Sequence, residues 1–295
     1  MKPVDVGLIV LLASFWGASY LFMRVAVPTF GPLPLAACRV LIGAVILAAY
    51  AWLSGKRIRF AGHWRQLFIL GFANVALPYA LISTAELRLT ASMGTILNAT
   101  APFFGVIGGW LLFGQPLRSR QVIGALIGFA GVAVLVGGAE LVTDPVALVS
   151  TALILVAALS YALGAHYSRR VFKTLTAFEV SLGHLVCAEL ILAVPALLTL
   201  PAAIPPAEAI LAVLGIGTLS TAGAYLIYFG LIERAGANAA VSVAFLMPVS
   251  GVVLAVLFLQ EPLHAGLLLG GAVILLGVAL VSGLLGRPAP AAPPG

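Results

Sequence analysis

The chain has 295 residues, of which 62% are hydrophobic and 8% charged, against roughly 25% charged in soluble domains. A water-soluble fold of this size could not bury so much apolar surface, so the composition excludes a soluble enzyme or binding module. The net charge of +6 is no nucleic-acid footprint, because the fifteen Lys and Arg stand in short clusters between apolar runs, as in loops between membrane spans.

A spanning helix takes ~20 mainly apolar residues. Ten runs meet that length, at 6–27, 34–53, 66–87, 92–113, 120–138, 147–167, 177–199, 208–231, 238–259 and 266–285. The expected fold is an all-α polytopic membrane protein with ten transmembrane helices, its partners the lipid bilayer and a small-molecule substrate. The first run follows Lys2 and resembles a signal peptide. Its Gly17-Ala18 and Tyr20 recur as Gly164-Ala165 and Tyr167, which argues that it belongs to the fold.

The stretch Pro28–Pro34 joins the first two spans. If the spans alternate, one side carries Lys2, Lys56, Arg57, Arg59, Arg65, Arg118, Arg120, Arg169, Arg170, Lys173, Arg234 and Arg287, twelve of the fifteen basic residues. The other carries Glu86 with Arg88, then Glu140, Asp144, Glu208 and Glu261 with His264. The positive-inside rule places both termini in the cytoplasm.

Ala91–Gly137 recurs at an offset of 146 as Ala237–Gly283: Pro102 matches Pro248, Gly105 matches Gly251, Pro116-Leu117 matches Pro262-Leu263, and Gly124 and Gly131 match Gly270 and Gly277. The match extends back through Gly71/Gly217, Tyr79/Tyr225 and Arg88/Arg234. Residues 1–138 and 147–285 therefore form two five-span repeats, with 286–295 a Pro- and Ala-rich disordered tail. Five is odd, so the second repeat enters from the opposite face and the pair has inverted topology, the architecture of alternating access.

Polar side chains inside a membrane usually face the bundle interior. Thr218, Thr221, Tyr225 and Tyr228 fall on one face of span eight. Tyr79, with Asn74 and Ser83, answers in span three. Thr95 and Asn98 stand in span four, and Trp16 and Tyr20 in span one. They read either as glue between helices or as the lining of a site, and as a set they favour the lining. Pro102 and Pro248 free a backbone carbonyl mid-helix and serve as hinges or plain kinks. Glu189 in span seven, with His184 five residues earlier, either carries a proton or is a buried acid paired with a neighbouring helix. Gly124, Gly131 and Gly138, with Gly270 and Gly277, mark spans five and ten as struts, each packed on its preceding span; a dimer face is the rival reading, so monomer or dimer stays open. Cys38 and Cys187 lie in apolar runs, and no metal or cofactor motif is present in the sequence.

Ser14-Phe-Trp-Gly-Ala-Ser-Tyr20, Arg39 at the start of span two, and the endings Phe-Gly-Gln-Pro-Leu (113–117) and Leu-Gln-Glu-Pro-Leu (259–263) resemble paired EamA domains, the ten-helix type of the drug/metabolite transporter superfamily. Gln115 departs from the family's usual glutamate. The resemblance implies a bacterial inner-membrane exporter of amino acids or related metabolites, not an enzyme, with a cavity lined by spans one, three, four, six, eight and nine. More narrowly, the chain resembles YddG-type exporters of aromatic amino acids. A broad-specificity drug or metabolite exporter is the alternative, and a passive channel or a membrane enzyme the remote ones.

Overall fold

The computed structural model describes residues 3–56, 58–60, 62–138, 143–235 and 237–283. Lys2, Arg57, Glu140, Arg287 and the tail at 286–295 lie outside them. The described residues form ten helices. Helix α1 is Pro3–Phe30, α2 Pro32–Leu53, α5 Ser119–Gly138, α6 Pro145–Val171, α7 Ala177–Leu198, α9 Ala237–Leu259 and α10 Ala265–Ser282. The other three are composite. Helix α3 joins Trp64–Gly71, a π-helical stretch Phe72–Ala76, and Leu77–Ala85. Helix α8 joins Ala207–Gly217, a π-helical stretch Thr218–Gly223, and Ala224–Ala235. Helix α4 is two segments, Ala91–Asn98 and Ala101–Phe113. Nine of these, as described, are long and apolar enough to cross a bilayer, and α9 adds the apolar run Val243–Leu259. The protein is a polytopic helical membrane protein.

Helix ends follow local chemistry. Thr90 accepts the Met93 N–H at the start of α4, and Asp144 accepts the Val146 N–H at the start of α6. Thr176 and Glu179 exchange hydrogen bonds in a capping box that opens α7. The His264 ring accepts the Leu267 N–H ahead of α10. Each cap satisfies a donor that the helix itself leaves free. The connector expected over Pro28–Pro34 is almost absent. Helix α1 runs through Pro28 to Phe30, and α2 starts at Pro32. Prolines fit a first helical turn because its N–H groups have no intrahelical partner. Gly31 alone makes the turn, at φ +78°, which glycine reaches without strain.

The two π-helical stretches stand at matching sequence positions, 146 apart at their start. The two prolines do not behave alike. The chain leaves the α-helix at Ala99 and Thr100, just ahead of Pro102, and the buried Thr100 hydroxyl donates to the Leu97 carbonyl. Pro248 lies inside an unbroken α9.

Helices α5 and α10 make their main seam with each other, and not each with its preceding span as expected from sequence. A Cβ at Gly124 would meet the Gly277 carbonyl at 2.8 Å, one at Gly131 would meet the Ile274 nitrogen at 2.8 Å and the Gly270 carbonyl at 3.0 Å, and one at Gly138 would run into the Gly266 Cα. The partners descend as the first index rises, so α5 and α10 run antiparallel. Small residues let two backbones approach this closely. Gly128, in the same stripe, meets Gly277 through its backbone and also cradles the buried Phe103 ring.

Helix α1 lies along α9 in a second close seam. A Cβ at Gly17 would meet Ser250 Oγ at 2.5 Å and the Gly251 nitrogen at 2.7 Å, and Ser250 Oγ donates to the Ala13 carbonyl. The matching seam between α6 and α4 is looser, for a Cβ at Gly105 would find only Ala162, 4.0 Å away. Contacts also sort the loops into two ends. Asp5 pairs with Arg234, the His63 ring lies against Phe172, and Arg120 lies against Gly283. At the opposite end Arg88 pairs with Asp144, and Glu261 accepts the N–H groups of Ala91 and Ser92. The Arg88 hydrogen bonds hold the Asp144 carboxyl below the usual carboxylate range.

The α5–α10 seam sets a stability test. Gly131→Leu forces a side chain into backbone, whereas Gly137, on the same helix, has open space around its Cβ position. Gly131→Leu is expected to destabilise by about 3 kcal/mol or more through overpacking, and Gly137→Leu to leave the unfolding temperature of the detergent-solubilised protein within error of wild type.

Candidate functional site

A charged group stands in the middle of this apolar bundle. Arg39 of α2 is 5% exposed. Its Nε donates to Thr221 Oγ1 at 3.1 Å, and its guanidinium lies over the Tyr79 ring, 3.7 Å from the centroid. Nη1 faces the Met23 sulfur at 3.8 Å, and Ser83 Oγ faces the same sulfur at 3.7 Å. No carboxylate among the described residues forms an ion pair with Arg39.

Tyr79 of α3 and Tyr225 of α8 lie within electrostatic range of each other. Tyr225 Oη lies 3.3 Å from His184 Nε2, and His184 Nδ1 lies 2.8 Å from the Val180 carbonyl. A carbonyl can only accept, so Nδ1 carries the proton and Nε2 of the neutral ring accepts from Tyr225. A continuous polar lane thus runs from α7 through α8 and α3 to α2. The π-helical turns set its geometry. Thr221 lies within one of them and returns its hydroxyl to the Ile216 carbonyl, five residues back, and Tyr79 and Tyr225 follow within the next turn. Wide turns of this kind gather at functional sites.

Tyr20 of α1 joins the lane from the other flank. It is buried, and the Asn98 amide lies beside its hydroxyl. Asn98 Oδ1 is buried without a partner, as are Thr95 Oγ1 and Ser220 Oγ. Tyr161 of α6 lies within electrostatic range of Tyr20, Tyr79 and Tyr225. Trp16 and Tyr228 form a tilted ring pair at 5.7 Å, and Tyr225 stacks on Phe229 at 5.9 Å. The result is a flat aromatic wall with hydroxyl, amide and guanidinium tips.

Most sequence-derived candidates meet here: Trp16, Tyr20, Tyr79, Ser83, Asn98, Thr221, Tyr225, Tyr228 and His184. Others do not. Thr95 is wedged against Gly251, and Asn74 fills the space beside Gly164. Glu189 has Cys38 of α2 within its electrostatic range, and its Oε2 is buried without a partner. Two residues escaped the sequence reading. Arg39 looked like an interfacial charge near a span end. Glu86 looked like a loop acid, yet it is fully buried with both carboxylate oxygens unpartnered, while its backbone carbonyl accepts from Arg24 at 2.5 Å. Helices α2 and α7, absent from the expected lining, supply Arg39 and His184.

A cleft of about 350 Å³ opens beside the α4 break, lined by Pro102, Gly105, Gln115, Gln121, His166 and Arg169. His166 Nε2 donates to the Gly105 carbonyl across it at 2.8 Å. A larger cleft of about 520 Å³ lies on the other side of Pro248, between α9 and α10. Its walls are aliphatic, from Val249, Val253, Leu257, Leu268 and Leu275 among others, which suits acyl chains rather than a polar solute.

The chain resembles known transporters along its whole length. It is 27% identical over 277 residues to the uncharacterized transporter YvbV of Bacillus subtilis, covering 93% of this chain and 90% of that one. It is 27% identical over 166 residues to the uncharacterized inner membrane transporter YedA of Escherichia coli K12, covering 56% and 53%. A solved crystal structure shares the fold, with a TM-score of 0.69 at 20% identity over 98% of this chain and all of the other. The model of the EamA-like transporter family matches twice, over residues 5–137 and 149–283, and the chain belongs to that family.

Proposed function

We propose that this transporter exports amino acids, aromatic and other neutral ones, across a bacterial inner membrane by alternating access, as YddG-type carriers do. The observation that carries this reading is the lane of Tyr20, Asn98, Tyr79, Tyr225 and His184, which offers ring faces with polar tips inside an apolar bundle. Tyrosine and tryptophan supply broad apolar contact with a polar handle, which matches an amphipathic solute better than an inorganic ion. Trp16 and Tyr228 extend the wall.

The repeats 1–138 and 147–285 are the two halves of the carrier, inverted with respect to each other. Both the double family match and the antiparallel α5–α10 seam support this. Both termini face the cytoplasm, in keeping with the basic loops gathered at the Asp5–Arg234 end. The α1–α9 seam is shut and the matching α6–α4 seam is loose. Exchange of these two states between the halves would open the site to either side, with Pro102 and Pro248 as hinges.

Reconstituted vesicles should accumulate labelled phenylalanine, tryptophan or methionine by counterflow, which a passive pore does not support. Vesicles that move none of the three would rule out the amino-acid reading. Tyr79→Ala and Tyr225→Ala should each lower uptake by about 10-fold or more, as loss of a central aromatic contact does, while the purified variants keep a wild-type elution profile. Normal uptake by either variant would remove that tyrosine from the site.

A further inference from the structure

We propose that Arg39 and Ser83 form a subsite for a carboxylate of the transported molecule. The inference rests on the amino-acid reading above and names the group that Arg39 recognises.

A guanidinium carries five N–H donors in a rigid plane. Here one of them has a firm acceptor, Thr221 Oγ1. Another faces a thioether, a weak acceptor, at 3.8 Å. The Ser83 hydroxyl faces the same sulfur from α3 at 3.7 Å. Two good donors from different helices therefore converge on one soft atom in a buried place. An oxyanion is the acceptor that such a pair is matched to, since hydrogen bonds from a cation to a carboxylate are short and roughly twice as strong as neutral ones. Methionine is unbranched and flexible, so its side chain can swing aside to admit one.

The packing of Arg39 fits this role. Stacking on Tyr79 fixes the plane of the guanidinium and leaves its edges free. The anchor at Thr221 fixes the rotation within that plane. Glu86 lies within electrostatic range of Arg39, yet it forms no ion pair with it. The fork is thus oriented without being neutralised by direct contact.

The test uses the full chain in vesicles and follows counterflow of labelled phenylalanine. Two competitors divide the substrate: 3-phenylpropanoate keeps the carboxylate and lacks the amine, and phenethylamine does the reverse. The shift in unfolding temperature of the purified protein with each probe is a second readout. In wild type, 3-phenylpropanoate should compete and stabilise, and phenethylamine should do neither. Arg39→Gln should raise the KM for phenylalanine by about 10- to 100-fold, the effect of losing one charge-assisted contact, and abolish both effects of the acid. Arg39→Lys keeps the charge without the planar fork and should fall between. Ser83→Ala should weaken phenylalanine and the acid together. A folded Arg39→Gln protein with unchanged KM and intact competition by the acid overturns the proposal, and so does competition by the amine alone. If Arg39→Gln does not fold, Arg39→Lys and Ser83→Ala carry the same comparison. If wild type moves no amino acid, the amino-acid reading fails by itself. The subsite is then decided by whether 3-phenylpropanoate stabilises wild type more than Arg39→Lys; no such difference overturns it.

Discussion

A guanidinium placed deep in an apolar bundle must be compensated, and the centre of this protein is arranged around that requirement. Moving an arginine to the middle of a spanning helix costs about 3 kcal/mol by insertion scales. The face of Tyr79 returns about 2 kcal/mol in a desolvated cation–π contact. The bond to Thr221 returns about 1.5 kcal/mol more. The two sides nearly balance, so Arg39 is tolerated without being a source of stability. Both compensating groups depend on local backbone. Thr221 sits in a π-helical turn, and Tyr79 follows the matching turn in the other half. Regular α-helix through either stretch would rotate its polar face away.

The frame is close to symmetric and the site is not. Tyr79 and Tyr225 occupy matching positions and lie within electrostatic range of each other. Apart from Tyr20, the other members have no counterpart of their kind. Arg39 matches Leu185 at the 146 offset, Asn98 matches Ala244, and His184 matches Cys38. Tyr167, which matches Tyr20 at the 147 offset, lies away from the lane against Phe172. A duplicated scaffold supplies two similar halves that can pack in reverse order, as the α5–α10 seam does. Recognition of an asymmetric molecule, as proposed for this site, needs different chemistry on its two walls, and single-copy residues would provide it.

The scaffold was legible in the sequence because its signals are long. Ten apolar runs of about twenty residues, short connectors and a repeat that needs no gaps all survive small errors of boundary. The site was legible in part. Tyr20, Tyr79, Asn98 and Tyr225 stand out as polar groups in apolar runs. Arg39 and Glu86 were misplaced because each lies near the end of a run, where a charge ordinarily reaches water. Only the neighbouring helices reveal that both point inward. The glycine stripe announced a close seam, but its partner could not be read from one helix: Gly124 suits any small-residue face, and the structure pairs it with Gly277. The π-helical turns left no signal, since a turn one residue wider preserves the same string of apolar side chains.

The two prolines show how sequence symmetry can part from structural symmetry. Each removes one backbone donor at the same place in its repeat. In α4 the freed carbonyl is that of Asn98, and the helix gives way immediately after it. In α9 the freed carbonyl is that of Ala244, and the helix continues. The difference lies in what surrounds them. Helix α9 is clasped along its length by α1, with Gly17 seated on Ser250 and Gly251. The second half of α4 has no such clasp, since Gly105 meets α6 at a distance and a cleft opens beside it. A proline lowers the cost of bending wherever it stands, and neighbouring packing decides whether the bend is used. In this protein the decision falls next to Asn98, whose amide lies beside Tyr20 while its oxygen remains without a partner, so the break in the frame and the polar lane meet at one residue.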